Sequence, residues 1–218
     1  MNEFTPDGAN TSPFHTIDAF DGSAIDELLM VLDAEAQDFN GFITAHPDIA
    51  ARISAQEIPE PGDRTAIPWD DANLIFVATC PASSKQHPPL GQGHARNRMG
   101  RIPYGDGDAI GYLMLFLRPP ADESGSNMMQ RISMLHSGFS SSLHGHGRFS
   151  HGSWGMHLRG YLSLEEVGAL QLDMKNVKWS VSPDEPLEAG VRTIVKDLNV
   201  ILRAATRQGT GVLFRSHA

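Results

Sequence analysis

The sequence predicts an α+β fold: about five helices packed on a small mixed β-sheet, in a single domain with an irregular N-terminal arm. Helical and strand periodicities alternate along 218 residues with no internal repeat. With 40% hydrophobic residues, the chain can bury a sizeable core at a length where one domain is the default. Capping and turn residues separate the periodic stretches.

Residues 1–20 read as the arm, since Thr, Pro, Asp, Gly, Asn and Ser dominate and only Phe4, Phe14, Ile17 and Phe20 tie it down. Residues 21–218 make the domain. Ile25, Leu28, Leu29, Leu32, Ala36 and Phe39 recur at helical spacing, and Asp21 or Ser23 offers an oxygen to the first free amides. A shorter helix starts near Pro47 and runs through Ile49, Ala50 and Ile53. Pro59, Pro61 and Gly62 end it, because proline removes a donor and clashes with the preceding turn. Asn73 to Thr79 (NLIFVAT), closed by Cys80 and Pro81, reads as a buried strand, and Ala109 to Leu117 (AIGYLMLFL) as another.

Between these runs lies the polar, Gly- and Pro-rich segment 82–108, too long for an inert connection. Met128, Ile132, Leu135, Phe139 and Leu143 mark the next helix face, and residues 144–160 (HGHGRFSHGSWGMHLRG) form a second irregular segment. Ser163 and Glu166 make a capping-box pattern before Val167, Leu170 and Met174. Asn176 to Val181 then alternates as a strand, with Val177, Trp179 and Val181 on one face. Ser182 and Glu185 repeat the capping pattern, with Pro186 in the first turn of a long amphipathic helix through Leu187, Val191, Ile194, Leu198, Ile201, Leu202 and Ala205. Gly209 should stop it, and Gly211 to Arg215 closes as a strand.

Charge is distributed unevenly. Residues 1–63 hold 13 acidic residues against Arg52 alone, whereas the remainder of a chain of net charge −9 carries +3. An acidic first third disfavours nucleic-acid binding, which needs a contiguous basic face, and suits a basic protein partner or a solvated helix face. The longest apolar stretch counts nine residues, below the ~20 that span a bilayer, which excludes a membrane helix. The N-terminal stretch has neither a basic nor an apolar run, so no export signal is read there. Cys80 is the single cysteine and gives no internal disulfide. The expectation is a soluble cytoplasmic protein, with Cys80 buried as a small hydrophobe.

Two segments could carry chemistry. His136, His144, His146, His151 and His157 fall within 22 residues. Neutral imidazole ligates zinc and other divalent first-row metals, and the H-x-H spacing of His144 and His146 puts two rings on one face of a strand. His151 or His157 would be the third ligand, and Glu165 or Glu166 an oxygen or general base. The alternative is a Gly/Ser/His loop without metal, with His136 on a helix flank. The second segment, residues 85–101, carries Lys85, Arg96, Arg98 and Arg101 and no acid, with Gly91 and Gly93 allowing backbone amides to approach an anion. It lacks the P-loop and dinucleotide patterns, which leaves an anion or partner contact, or a solvated basic loop. Trp154, inside the Gly/His segment, either anchors a partner or pins the loop to the core.

Arg159-Gly160-Tyr161-Leu162-Ser163, then Glu165-Glu166-Val167, and the final helix ending Ala204-Ala205 with Gly209 before Gly211-Val212-Leu213-Phe214, resemble the tail of the YfbM-like proteins. That resemblance implies a bacterial, soluble α+β domain, some relatives of which lie beside toxin genes as presumed neutralisers. The leading functional expectation, from two long irregular polar segments set on a regular scaffold, is a protein-binding module, toxin-neutralising or regulatory, with no evident catalytic constellation and no assured cofactor. The second is a metal-dependent hydrolase or oxygenase built on His144, His146, His151 and His157.

Overall fold

The computed structural model describes residues 14–33, 38–80, 107–140 and 149–217, except the side chains of Phe14 and Trp154. Among these residues lie five strands and eight α-helices, which corrects the expected number of about five helices. The strands are β1 (Phe14–Phe20), β2 (Leu117–Arg118), β3 (Met156–Leu162), β4 (Ser180–Val181) and β5 (Gly211–His217). The helices are α1 (Ile25–Asp33), α2 (Phe39–Ala45), α3 (Pro47–Ser54), α4 (Asp71–Thr79), α5 (Ala109–Phe116), α6 (Glu123–Ser137), α7 (Leu164–Asn176) and α8 (Gly190–Gln208).

The main sheet has the order β1-β5-β3 and is antiparallel, as is the small β2-β4 pair, so the mixed sheet expected from sequence is corrected. Connectivity explains this. β3 and β5 are joined through two helices, α7 and α8, rather than by the single crossover helix that sets two strands parallel.

The sheet is the wall between two cores. Strand residues alternate between its faces. Phe20, Met156, Leu158, Tyr161 and Leu213 join a core completed by α1 to α4. Ile17, Leu162, Val212 and Phe214 join the other, completed by α5 to α8. Residues 14–20, expected in the arm, are thus one edge of the central wall. Ile17 and Phe20 tie them down by burial on opposite faces of the strand, one in each core, rather than as isolated anchors.

Both apolar runs read as strands are helices. From Ala72 to Thr79 every residue of α4 is buried, so the run has no polar face and shows no helical period. The signal that tells helix from strand lies just upstream. Asp70 accepts from the Asn73 amide at 2.9 Å, and Asp108 accepts from the Gly111 amide at 2.8 Å, each an N-cap that starts its helix. The remaining elements follow the sequence more closely. Ser163 and Glu166 form both halves of a capping box on α7, and Gly209, at φ +70°, ends α8 in the left-handed conformation. Val177, Trp179 and Val181 all pack on the second core, although only Ser180–Val181 pairs as a strand.

Two helix starts shift. Phe39, expected in the first helix, begins α2 behind the Asp38 cap. The last helix begins at Gly190 rather than after Ser182, because Glu185 reaches forward to accept from the Val191 amide at 2.5 Å.

Candidate functional site

The Gly/His segment is less irregular than its composition suggests. The Leu158 amide donates to the Ser150 carbonyl at 2.7 Å and the Gly152 amide to the Met156 carbonyl at 2.9 Å, so residues 150–152 fold back on β3 as a tight hairpin. The 3-10 turn Ser153–Gly155 closes it. Asp70 pins this turn to the start of α4, accepting from the Ser153 amide at 2.6 Å and from the Ser153 hydroxyl, while also capping the helix. Burial pushes the Asp70 carboxyl up, and the Ser153 and Asn73 hydrogen bonds outweigh it and hold it below the usual range. Trp154 sits in this turn, so its backbone is held against α4.

The hairpin places His151 opposite His157 across the strands. Their rings stack, with centroids 4.2 Å apart and planes 20° apart. Ser150 Oγ shares a 2.8 Å hydrogen bond with His151 Nδ1. In the sheet, His157 and His15 flank Ser216 in one cross-strand row, so both belong to the face that α5 to α8 cover. His157 Nε2 is buried and has no hydrogen-bond partner among the described residues. Burial, followed by the fields of His151, Arg159 and His15, lowers the His157 pKa to about 4, so the ring is neutral near pH 7.

An irregularity in β3 between Leu158 and Gly160 leaves Arg159 outside the register with β5. Its guanidinium reaches Asp108 at 3.2 Å and His136 Nε2 at 3.0 Å, and its Nε donates to the His136 carbonyl at 3.3 Å. His136 Nε2 also lies 3.0 Å from Asp108 Oδ2. When the ring carries its proton on Nε2 it donates to Asp108; when the proton is on Nδ1, Nε2 accepts from Arg159. Burial pushes the Asp108 carboxyl up, but His136, the Gly111 amide and Arg159 outweigh this and hold it at about 2, ionised in either arrangement.

His15, His136, His151, His157, Arg159 and Asp108 therefore converge at one corner, where β1 begins, β3 begins and β5 ends. Sequence spacing identified His151 and His157 but set His136 apart, and it gave no role to His15, Asp108 or Arg159. Asp108 could have been found as an N-cap aspartate; His15 and Arg159 carried no local signal, because only sheet pairing brings positions so far apart together. Among the described residues, no group of three or more His, Cys, Asp or Glu could hold a metal ion. His144 and His146 lie outside the described residues, as do Lys85, Arg96, Arg98 and Arg101 and the Trp154 side chain. Cys80 is buried, and burial, with Asp18 nearby, pushes its thiol well above the ordinary value, so the thiolate that nucleophilic attack needs is disfavoured.

A second feature is the charge of the two layers. The described residues 14–33 and 38–80, which build β1 and α1 to α4, hold twelve acids against Arg52 and Arg64. The described residues from 107 onward hold ten of each sign. Asp26, Glu27, Asp33, Asp38, Asp48, Glu57, Glu60 and Asp63 are exposed, and no Lys or Arg among the described residues of this layer is. Arg52 is taken up by Asp21 and Asp48, and Arg64 by Asp71. No helix among the described residues is long and apolar enough to cross a membrane. No family model, curated protein or solved structure matches the chain.

Proposed function

We propose that this chain is a protein-binding module whose recognition surface is the acidic α1 to α4 layer and whose partner is a basic protein that it neutralises or regulates. The segregation of charge carries this reading. Eight exposed carboxylates on one side of the sheet, with no exposed cation among that layer's described residues, make a single-signed field that accelerates and orients the approach of a basic surface. The opposite layer, balanced in sign, gives no such field.

The test is binding to a synthetic Arg/Lys-rich peptide as a function of salt. A triple reversal in the acidic layer, Asp33→Lys with Glu57→Lys and Glu60→Lys, should weaken binding at least tenfold at low ionic strength. Reversal of Lys196, Arg203 and Arg207 to Glu on α8 should not. The wild-type affinity should fall steeply between low and physiological salt, because screening acts on exposed charges. Equal affinity for both variants, or salt-independent binding, would overturn the reading.

A further inference from the structure

At the opposite end of the sheet from the histidine corner, a cleft of about 1050 Å³ opens between the starts of α1 and α7 and the turn from α8 into β5. We propose that this cleft is where the basic partner is read in detail, by taking up an arginine side chain. The inference rests on the basic-partner reading above and adds the site and the residue type.

The lining divides by chemistry. Phe20, Ile25, Met134 and Tyr161 make an apolar floor, with the Phe20 and Tyr161 rings packed at 4.7 Å between centroids. Leu164 stands at the rim with 43% of its surface exposed, apolar area that the described fold leaves uncovered. The charged lining residues are Asp21, Asp26, Glu165 and Glu166, with no Lys, Arg or His beside them. Two of the four are already committed. Asp21 pairs with Arg52 at 2.8 Å, and Glu166 accepts from the Ser163 amide at 2.7 Å.

Asp26 and Glu165 remain, both exposed and in no ion pair among the described residues. They belong to opposite layers, Asp26 on α1 and Glu165 on α7, so the tertiary fold alone puts them on one cleft. Each lies in the first turn of its helix, whose positive end favours the ionised carboxylate. The field of Asp26 reaches the floor: burial first, then Asp26 and the committed Glu166, push the Tyr161 hydroxyl up to about 12.

Two separated carboxylates over an apolar floor suit a long side chain with an aliphatic stem and a planar, weakly hydrated cation of several donors. Lysine offers the stem but a compact, strongly hydrated head. Arginine is therefore the occupant that both halves of the lining fit.

The experiment compares an arginine nonapeptide with its lysine counterpart on the full chain. Three proteins are used: wild type, D26N/E165Q at the cleft, and E57Q/E60Q on the same layer outside it. The expected result is tighter binding of the arginine peptide, at least tenfold weaker in D26N/E165Q and within twofold in E57Q/E60Q, with peptide-induced shifts at the Leu164 methyl resonances. Equal weakening by the two variants would overturn the cleft while leaving the layer-wide attraction standing. No binding by the wild type would overturn both. The substitutions are isosteric and exposed, and unchanged thermal midpoints confirm that the variants are folded.

Discussion

Gly160 shows how one residue sets the distance between two elements. A Cβ at this position would lie 1.9 Å from the Met134 carbonyl oxygen and 2.7 Å from that of Leu135, so the end of α6 rests directly on the β3 backbone. Both obstacles are main chain and cannot rotate away. Gly160→Ala should cost about 3 kcal/mol or more by forcing the helix off the strand, measured as the shift in urea midpoint. His157 makes a prediction in pH. The folded ring protonates at about 4, whereas the unfolded ring takes its proton near the ordinary 6.5. The unfolded chain therefore binds the extra proton first, and stability present near neutrality is lost as the pH falls from about 6.5 to about 4. Asp108 acts in a lower window: its contribution is full above 3.8 and is lost as the pH falls through about 2. Denaturation of wild type and His157→Gln between pH 7 and 4 should show the slope flattened in the variant. An unchanged slope would remove His157 as its source.

At the level of elements, helix starts decide the architecture. Asp70 and Asp108 convert two uniformly apolar runs from apparent strands into helices by capping them, and each cap also bonds outside its own helix, Asp70 to the hairpin turn and Asp108 to His136 and Arg159. α8 is started differently. Its N-cap Ala189 has φ +60° and no capping side chain, so Glu185 supplies the acceptor and also takes the Tyr112 hydroxyl of α5 at 3.3 Å. Removing that carboxylate leaves the Val191 amide without its acceptor and detaches α5 from the start of α8. Glu185→Ala should lower stability by about 1–2 kcal/mol, whereas Glu188→Ala, exposed three residues on, should be nearly silent. The Ser182 and Glu185 pattern thus held a correct capping residue for a helix that begins later than the pattern implies.

For the molecule as a whole, the sheet is the shared wall, and one ion pair crosses its centre. Arg215 on β5 donates to Asp18 on β1 at 2.7 Å, with both side chains at most 5% exposed, and its guanidinium lies 4.5 Å from the Phe76 ring centroid of α4. Joining the two ends of the described chain, the pair tests whether the core folds as one cooperative unit. Arg215→Met leaves Asp18 buried without its cation and should cost about 3–5 kcal/mol, while Asp18→Asn together with Arg215→Met should recover part of it. Chemical denaturation of the single and double variants measures both changes. The same wall separates the acidic layer from the neutral one, which turns a charge imbalance along the sequence into a difference between two faces.

What the sequence determined by itself is local. Helical spacing in α1, α3, α6 and α8, the capping box of α7, the glycine stop at Gly209 and the burial of Cys80 rest on neighbours within a few residues, where spacing and capping chemistry suffice. The acidity of the first third was legible for the same reason, since charge is additive along a chain. What only the tertiary structure decided is non-local. β1 looked like an arm because its partner, β5, lies almost two hundred positions away. α4 looked like a strand because a helix buried on every side shows no period, and α5 because its exposed Leu115 is as apolar as its buried face. The histidine corner and the cleft between Asp26 and Glu165 each collect residues from several elements, and no spacing rule reaches across the sheet that brings them together.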